Sequence, residues 1–368
     1  MNDEKVYSDF MRWLEGSWYG VPEPENAIAM IKARYSPGDA GFLTGIPFSP
    51  SSLDDLAKQK GITVGAAEEA LDALSRKGLL FRSVRDGKKY YALNDIFMQI
   101  RTFGWPGRDD AENRETAVRA NKYWETGFLS PWTHTEHKGL RVVPINKAVE
   151  DPRTIVPYEE ISAIIDGFEY HTVSTCPCRQ IKNLDPAYPD SQYPMDVCLH
   201  FDRLGHYIVE NGMGREITSG ETRDILRRCA DAGLVHSISN QQEKPDTICN
   251  CDRDYCMWFT LRHKLGHAMS VSPSRYVAKN MTEKCEGCGL CVKRCPMNAL
   301  SLRETPGAHS KNGKAAALND NDCIGCGVCA HTCKSGSLAL VVRPVTTEPP
   351  KTGRDFAKAT WADFRKAR

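Results

Sequence analysis

Apolar residues recur with a helical period near the start of the chain. They stand at positions i, i+3, i+4 and i+7, so they form one face of a helix that ends near Gly16. The residues of that face are Tyr7, Phe10, Met11 and Leu14. A second, shorter helix is predicted from Glu25 to about Tyr35. The chain is therefore expected to begin with a small helical region.

Residues 40–95 show the order helix, helix, strand, strand, which is typical of a winged helix. Ser51 or Ser52 is expected to cap the first helix, and Thr63 the second, because a hydroxyl at this position accepts a hydrogen bond from a free backbone N–H of the first turn. Asp86-Gly87 predicts a tight turn between the two strands. The pattern indicates a compact module with a β-hairpin at its end.

The second helix of this module is acidic where a DNA-reading helix would be basic. Glu68, Glu69 and Asp72 lie along it, and its basic residues, Arg76 and Lys77, stand at the C-terminal end. Since phosphate contacts depend on lysine and arginine, these carboxylates would repel DNA. Scaffolding or docking of a protein partner is the favoured role, and DNA is not the expected partner.

The pattern after the hairpin is less regular. A polar helix is predicted over Asp110–Thr126, a strand over Arg141–Ile145 and an apolar-faced helix from Pro157 onward. Thr218-Ser-Gly-Glu221 is a capping box that predicts a further helix. Cys229 falls on the apolar face of that helix, so it is expected to be a small core residue.

Composition limits the location and the class of the protein. The 368 residues suggest two or three domains, and 48 Lys and Arg against 47 Asp and Glu leave no basic footprint for nucleic acid. No apolar run predicts a membrane span, and the first residues do not form a secretory signal. A cytoplasmic location is therefore expected. Thiols stay reduced there, so the fifteen cysteines indicate metal ligands instead of disulfides.

Eight cysteines form two copies of one spacing, C-x₂-C-x₂-C-x₃-C. The first copy is Cys285, Cys288, Cys291 and Cys295, and the second is Cys323, Cys326, Cys329 and Cys333. In such runs three thiolates bind one [4Fe–4S] cluster and the fourth reaches another cluster. Glycines inside the runs allow the backbone to bend closely around the inorganic core. Two zinc sites are the weaker alternative, because paired zinc ligands usually have longer separations.

Residues 278–342 resemble the bacterial two-[4Fe–4S] ferredoxins. The resemblance implies that Cys285, Cys288, Cys291 and Cys333 bind the first cluster. It implies that Cys323, Cys326, Cys329 and Cys295 bind the second. The chain departs from the pattern at Lys334, which replaces a proline, and in a polar insert between Arg303 and Asp322. Neither departure removes a ligand.

Six further cysteines lie in the central part of the chain. They are Cys176, Cys178, Cys198, Cys249, Cys251 and Cys256. At least one additional [4Fe–4S] cluster is the favoured interpretation, while a structural zinc and unligated thiols remain alternatives. Four thiolates suffice for one cluster. The other two would form a redox or substrate-facing dithiol, or would bind a second cluster helped by Asp252, Asp254 or His200.

The order of these parts resembles a family of multi-cluster iron–sulfur proteins of anaerobic bacteria. The residues that carry the resemblance are Cys176-Pro-Cys-Arg179, Met195-Asp-Val-Cys198, Ile217-Thr218, Gly233-Leu-Val-His236 and Ile248-Cys-Asn-Cys251. Members commonly have more cysteines after the C-N-C motif, where this chain has Asp252, Asp254 and Tyr255. The resemblance implies an electron carrier or subunit whose partner is a flavoprotein or a heterodisulfide-reductase-like enzyme.

The sequence thus predicts an α+β protein with mainly helical N-terminal and central regions, a winged-helix module and a C-terminal ferredoxin-type domain. The expected segments are a helical and winged-helix-like domain over 1–100, a central cysteine-rich domain over 101–275, the two-cluster domain over 276–345 and a tail over 346–368.

Electron transfer through at least two and up to three [4Fe–4S] clusters is the leading functional hypothesis. No Rossmann or P-loop motif is present, which favours a carrier over a complete reductase. The alternatives are an oxidoreductase whose central cysteines bind substrate, and an iron–sulfur transcription regulator. The catalytic residues of such an enzyme, the direction of electron flow and homo-oligomerisation stay open.

Overall fold

The computed structural model describes residues 2–267 and 269–366, with 45% helix and 17% strand. The α-helices are α1 (Asp3–Glu15), α2 (Pro24–Arg34), α3 (Pro37–Leu43), α4 (Leu53–Lys60), α5 (Val64–Arg76), α6 (Ile96–Gly104), α7 (Ala111–Tyr123), α8 (Ile161–Asp166), α9 (Pro177–Asn183), α10 (Asp202–Glu210), α11 (Ser219–Ala232), α12 (Met257–His263), α13 (Leu290–Arg294), α14 (Val328–His331) and α15 (Gly353–Lys366). The strands are β1 (Ser51–Ser52), β2 (Leu80–Arg85), β3 (Lys88–Leu93), β4 (Leu140–Val142), β5 (His171–Thr175), β6 (Asp196–Phe201), β7 (Arg215–Ile217), β8 (Val235–Ser239), β9 (Thr247–Cys251), β10 (Tyr276–Asn280), β11 (Leu300–Glu304), β12 (Lys314–Leu318) and β13 (Leu338–Val342).

Shorter turns connect these elements. A π-helical turn covers Trp124–Phe128, and 3-10 turns cover Ser130–His134, Asn146–Ala148, Pro152–Thr154, Pro157–Glu159 and Thr282–Lys284. The mixture of helix and sheet agrees with the predicted class. Among the described residues, no helix combines the length and the apolar character that crossing a membrane requires.

The chain forms two compact units, and each unit is assembled from segments that are distant in sequence. The first unit contains residues 1–132, 172–196 and 202–216. The second unit contains residues 133–171, 197–201 and 217–368. Residues that are neighbours in sequence near position 196 therefore belong to different units.

The predicted N-terminal helix is confirmed as α1, which Asn2 caps by accepting a hydrogen bond from the backbone N–H of Glu4. Its four predicted apolar residues are all buried. The Tyr7 hydroxyl donates a hydrogen bond of 2.8 Å to the carbonyl of Tyr35, just after α2. This bond joins the first two helices through a buried contact.

Helices α4 and α5 and the following hairpin form where the pattern predicted them. Ser52 caps α4 and Thr63 caps α5, each through a side-chain oxygen that accepts a backbone N–H. Gly61 ends α4 with a φ of 65°. The three strands of this region are ordered β1–β3–β2 and are antiparallel.

The acidic residues of α5 face the hairpin. Asp72 accepts hydrogen bonds of 2.7 Å from Lys89 and from the Tyr91 hydroxyl on β3. Glu68 also lies 2.7 Å from the ammonium group of Lys89. Helix α5 is thus fixed to the hairpin by charge, and two of its carboxylates are already paired.

An antiparallel sheet organises the second unit, with neighbouring strands in the order β4–β8–β9–β6. Only β4 was predicted among the six strands of the central region. Helix α11 begins at the predicted cap Thr218, and Cys229 is completely buried on its inner face, as expected. A buried ion pair of 2.7 Å between Arg141 and Glu159 fixes the loop that follows β4.

The C-terminal part of the second unit contains two antiparallel strand pairs, β10–β13 and β11–β12. The second cysteine run is bonded to residues of the central region. The Ile145 N–H donates 3.0 Å to the Cys326 carbonyl, and the Ser274 hydroxyl donates 2.8 Å to the Gly325 carbonyl. The C-terminal cysteine region and the central sheet therefore share one packed unit.

Candidate metal centres

A cavity of about 210 Å³ opens beside the first cysteine run. Its lining includes Cys285, Cys288, Cys291 and Cys333. Three of these residues come from the first run, and the fourth ends the second run. Cys288 is exposed, so this cavity is close to solvent. The four cysteines are the set that the ferredoxin resemblance implies for one cluster.

A second, smaller cavity of about 20 Å³ is lined by Cys295, Cys323, Cys326 and Cys329. All four are buried. The rest of the lining is largely apolar and includes Ala278, Met297, Leu300, Ile324 and Leu340. The backbone N–H of Ala299 donates a hydrogen bond of 3.2 Å to the Cys295 sulfur. Each cavity thus takes its fourth cysteine from the other run. Cys288 of the first cavity is exposed, whereas all four cysteines of the second cavity are buried.

Glycines allow the backbone to approach each cavity. Gly287 and Gly325 occupy equivalent places in the two runs, with φ of 64° and 68°. A Cβ atom on Gly287 would press on Asn312, and one on Gly325 would overlap the Tyr276 carbonyl. Only glycine fits both the positive φ and the space. These tight cysteine loops suit a compact inorganic core.

Burial makes four of these eight thiols hard to ionise, and they are Cys291, Cys295, Cys326 and Cys329. It raises the pKa of Cys326 and Cys329 above the ordinary value, and it raises the pKa of Cys291 to about 11. Burial also raises the pKa of Cys333, but hydrogen bonds from Ser335 and Ser337 bring it below the ordinary value. Because coordinated metal deprotonates a thiol, metal ligation resolves the conflict between burial and charge.

Four central cysteines come together in the second unit. Cys249 and Cys251 lie two residues apart on β9, so they share one face of the sheet. The antiparallel register pairs Leu199 with Ile248, which places Cys198 of β6 opposite Cys249. Cys256 stands directly before α12 as its N-terminal cap residue.

Contacts connect these four thiols into a continuous group. A hydrogen bond with Cys249, together with burial, raises the pKa of Cys198 to about 12. Hydrogen bonds with Cys249 and Cys256 raise the pKa of Cys251 well above its ordinary value. We call Cys198, Cys249, Cys251 and Cys256 the central thiol group. Four thiols in contact can bind one metal centre together, because ligation removes their protons and leaves thiolates.

The three predicted oxygen and nitrogen ligands have different environments. His200 is buried beside the group, and its charge and its hydrogen bond to Cys198 partly offset the rise in the pKa of that thiol. Asp252 accepts the backbone N–H groups of Asp254 and Tyr255, at 2.9 and 2.7 Å. The Asp254 side chain is 72% exposed. These contacts place His200 against a thiol of the group.

A buried hydroxyl also faces the central thiol group. Ser237 of β8 pairs with Cys249 of β9, so their side chains share one face of the sheet. Ser237 is fully buried, and among the described residues its Oγ has no hydrogen-bond partner. Sequence analysis did not identify this residue, since nothing in the sequence aligned β8 with β9.

Cys176 and Cys178 lie in the first unit. Cys176 precedes α9, and its N–H donates 2.7 Å to the Met195 carbonyl. Gly104 lies against Pro177, where an added Cβ would come within 2.6 Å of the Pro177 Cα. Arg179 is completely buried. This segment is therefore held tightly in place within its own unit.

Comparison with known proteins identifies the C-terminal region. A model of the 4Fe-4S dicluster domain matches residues 284–337, which contain all eight cysteines of the two runs. No curated protein and no solved structure matches the chain. The match and the clustered cysteines define an iron–sulfur protein with a C-terminal ferredoxin-type domain for two [4Fe–4S] clusters.

Proposed function

We propose that this protein is an electron-transfer subunit that passes single electrons through three [4Fe–4S] clusters. The two cysteine cavities would hold two of them, with the ligand sets that line each cavity. The central thiol group would hold the third. The observation that carries this proposal is the continuous contact among four thiols on β6, β9 and the start of α12.

The chain provides what one-electron chemistry requires of a protein. A bound [4Fe–4S] cluster accepts and releases one electron. Around the second cavity, apolar side chains exclude water, and the Ala299 N–H donates to a cysteine sulfur. Around the first cavity, the Ser335 and Ser337 hydroxyls lie 3.5 and 3.3 Å from the Cys333 sulfur. Such hydrogen bonds and burial set the reduction potential.

Helix α12 connects the central thiol group with the second cavity. Cys256 stands at its start, and at its end the His263 ring lies 2.8 Å from the Pro296 carbonyl, next to Cys295. Seven residues of helix span roughly 10 Å. The adjacent Arg262 pairs with Asp322 at 2.8 Å, next to Cys323. This short connection supports an electron path from the first cavity through the second to the central group.

The remaining parts of the proposal concern organisation and partners. We propose that α4, α5 and the β2–β3 hairpin are a winged-helix-like module that docks protein. The redox partner would be a flavoprotein or a heterodisulfide-reductase-like enzyme. Cys176 and Cys178, which lie in the first unit, would form a separate dithiol.

Replacing one central thiol tests the third cluster. Cys251→Ser is expected to lose about four irons per chain, while the signals of the two C-terminal clusters remain in the electron paramagnetic resonance spectrum after dithionite reduction. Cys229→Ala is the matched control, because Cys229 is a buried cysteine of the same unit that belongs to α11 and not to the central thiol group. Unchanged iron in Cys251→Ser would refute the third cluster. Full iron with lost turnover would indicate a catalytic thiol instead.

A further inference from the structure

The first cavity is where an external protein can approach a cluster most closely. Cys288 is exposed, and Cys291 and Cys333 are only partly buried. The four cysteines of the second cavity and three of the central thiol group are buried. Because electron transfer slows as the distance between two redox centres grows, a partner bound over the first cavity would be best placed to transfer an electron.

Exposed lysines surround this cavity. Lys284 precedes Cys285, Lys334 follows Cys333 and lines the cavity, and Lys293 lies on α13. Lys311 and Lys314 flank Asn312, whose amide donates 3.2 Å to the Gly287 carbonyl. All five are exposed. We call Lys284, Lys293, Lys311, Lys314 and Lys334 the lysine rim.

The rim lysines form no ion pairs among the described residues, although Glu304 stands opposite Lys314 across β11 and β12. In the described parts of the protein, none of the five lysines has a carboxylate within ion-pair distance. Glu283 and Glu286 are the acidic residues of the first run and its approach. Asp322, which stands just before the second run, is instead paired with Arg262. Five exposed lysines thus stand beside three exposed carboxylates, Glu283, Glu286 and Glu304, so positive charge is in excess around this cavity.

We propose that the lysine rim docks an acidic one-electron carrier protein over the first cavity. This inference rests on the proposed function, in that the first cavity must hold a cluster. No bond forms or breaks in the transfer: the reduced carrier loses one electron, and the first cluster gains it. Unpaired lysines around the entry would steer an acidic carrier and raise the association rate at low salt.

Rapid-mixing kinetics with a photoreduced acidic flavodoxin as the probe tests the proposal. The triple variant Lys293→Gln, Lys311→Gln, Lys314→Gln leaves the residues next to the cysteines unchanged. Its second-order rate of reduction is expected to fall about tenfold at low salt. The salt dependence of the rate is also expected to become weaker. The matched control is Lys58→Gln, Lys88→Gln, Lys122→Gln, which removes three exposed lysines of the first unit and should keep the wild-type rate.

Separate measurements distinguish failure of the docking site from failure of the proposed function. Iron content and full reduction by dithionite report the clusters without any docked protein. If the first cluster is absent from the wild type, the proposed function fails. If the clusters are present and the rim and control variants react equally fast, the docking site is wrong. A wild-type rate that does not rise as salt is lowered would also overturn it.

Discussion

Ser237 is a buried hydroxyl that faces the proposed central cluster site. It lies on the same sheet face as Cys249 and, in the described chain, has no hydrogen-bond partner. A buried polar group without a partner is costly, which makes a sulfur acceptor in the completed site the natural explanation. A hydrogen bond to sulfur stabilises the reduced cluster because that form carries more negative charge.

Removing this hydroxyl should therefore lower the reduction potential of the central cluster. For Ser237→Ala we expect a decrease of about 20–60 mV, since one hydrogen bond is worth about 0.5–1.5 kcal/mol and the couple involves one electron. Redox titration followed by electron paramagnetic resonance measures it. Ser239→Ala on the same strand is the control, because the Ser239 hydroxyl already bonds Asp246. An unchanged potential with intact iron would mean that Ser237 does not contact the cluster.

Gly325 is the residue at which added volume should do the most local damage. In Gly325→Ala the new Cβ would overlap a backbone carbonyl, and the backbone has a positive φ. We expect loss of iron from the second cavity and a lower temperature of thermal inactivation. Gly336→Ala is matched, because Gly336 has a φ of 63° but open space around it. The control should cost only about 1–2 kcal/mol of conformational strain and keep its iron. Equal behaviour of the two variants would contradict the steric argument.

The sequence was most informative about residues whose spacing carries the chemistry. The two ferredoxin runs and their glycines could be recognised because all their members lie close together in the chain. The sequence could not show that Cys198, Cys249, Cys251 and Cys256 meet, because they come from β6, β9 and the start of α12. Ser335 and Ser337 stood next to Cys333 in the sequence, yet only the structure shows their hydroxyls near its sulfur.

Among the secondary-structure elements, helices with one buried face and clear caps were predicted best. Helices α4, α5 and α11 begin at the expected cap residues, and α1 has the predicted buried face. Strands β5, β6, β8 and β9 were missed. They are buried along most of their length, so polar and apolar residues do not alternate as they do in a half-exposed strand. For the tail over residues 346–368, the sequence analysis defined no helix boundaries, and the structure gives α15.

The Asp363 carboxylate of helix α15 is bonded to the chain at Glu136 and His137 in the second unit. Asp363 accepts the backbone N–H groups of Glu136 and His137, both at 2.9 Å, and also contacts the His137 ring at 3.1 Å. Burial raises the pKa of Asp363, but these hydrogen bonds lower it below the ordinary value. The carboxylate therefore stabilises docking of α15 throughout the neutral range. That stabilisation is lost only as the pH falls through the lowered pKa.

Neutralising this side chain should loosen the tail helix at pH 7. For Asp363→Asn we expect a loss of about 1–2 kcal/mol, because hydrogen bonds to a charged acceptor become bonds to a neutral one. Hydrogen exchange of residues 353–366 should become about tenfold faster. Glu348→Gln, an exposed carboxylate in the same tail, should leave the exchange unchanged. Equal exchange in both variants would show that Asp363 does not hold the helix.

At the scale of the whole molecule, the second unit brings the dicluster region and the central thiol group together. Cysteine content and spacing were enough to predict an iron–sulfur protein, and the domain match supports that class. The packing of the second cysteine run against Ile145 and Ser274 could not be predicted, because it joins segments far apart in sequence. This packing is what makes an electron path between the sites physically reasonable.

The number of clusters is the central claim, and the iron and acid-labile sulfide content of anaerobically prepared protein tests it most directly. Three [4Fe–4S] clusters require about twelve irons and twelve sulfides per chain, because each cluster contributes four of each. Eight of each would confine the clusters to residues 284–337 and contradict the third cluster. Sixteen of each would require a fourth cluster and contradict the assignment of one cluster to the central site.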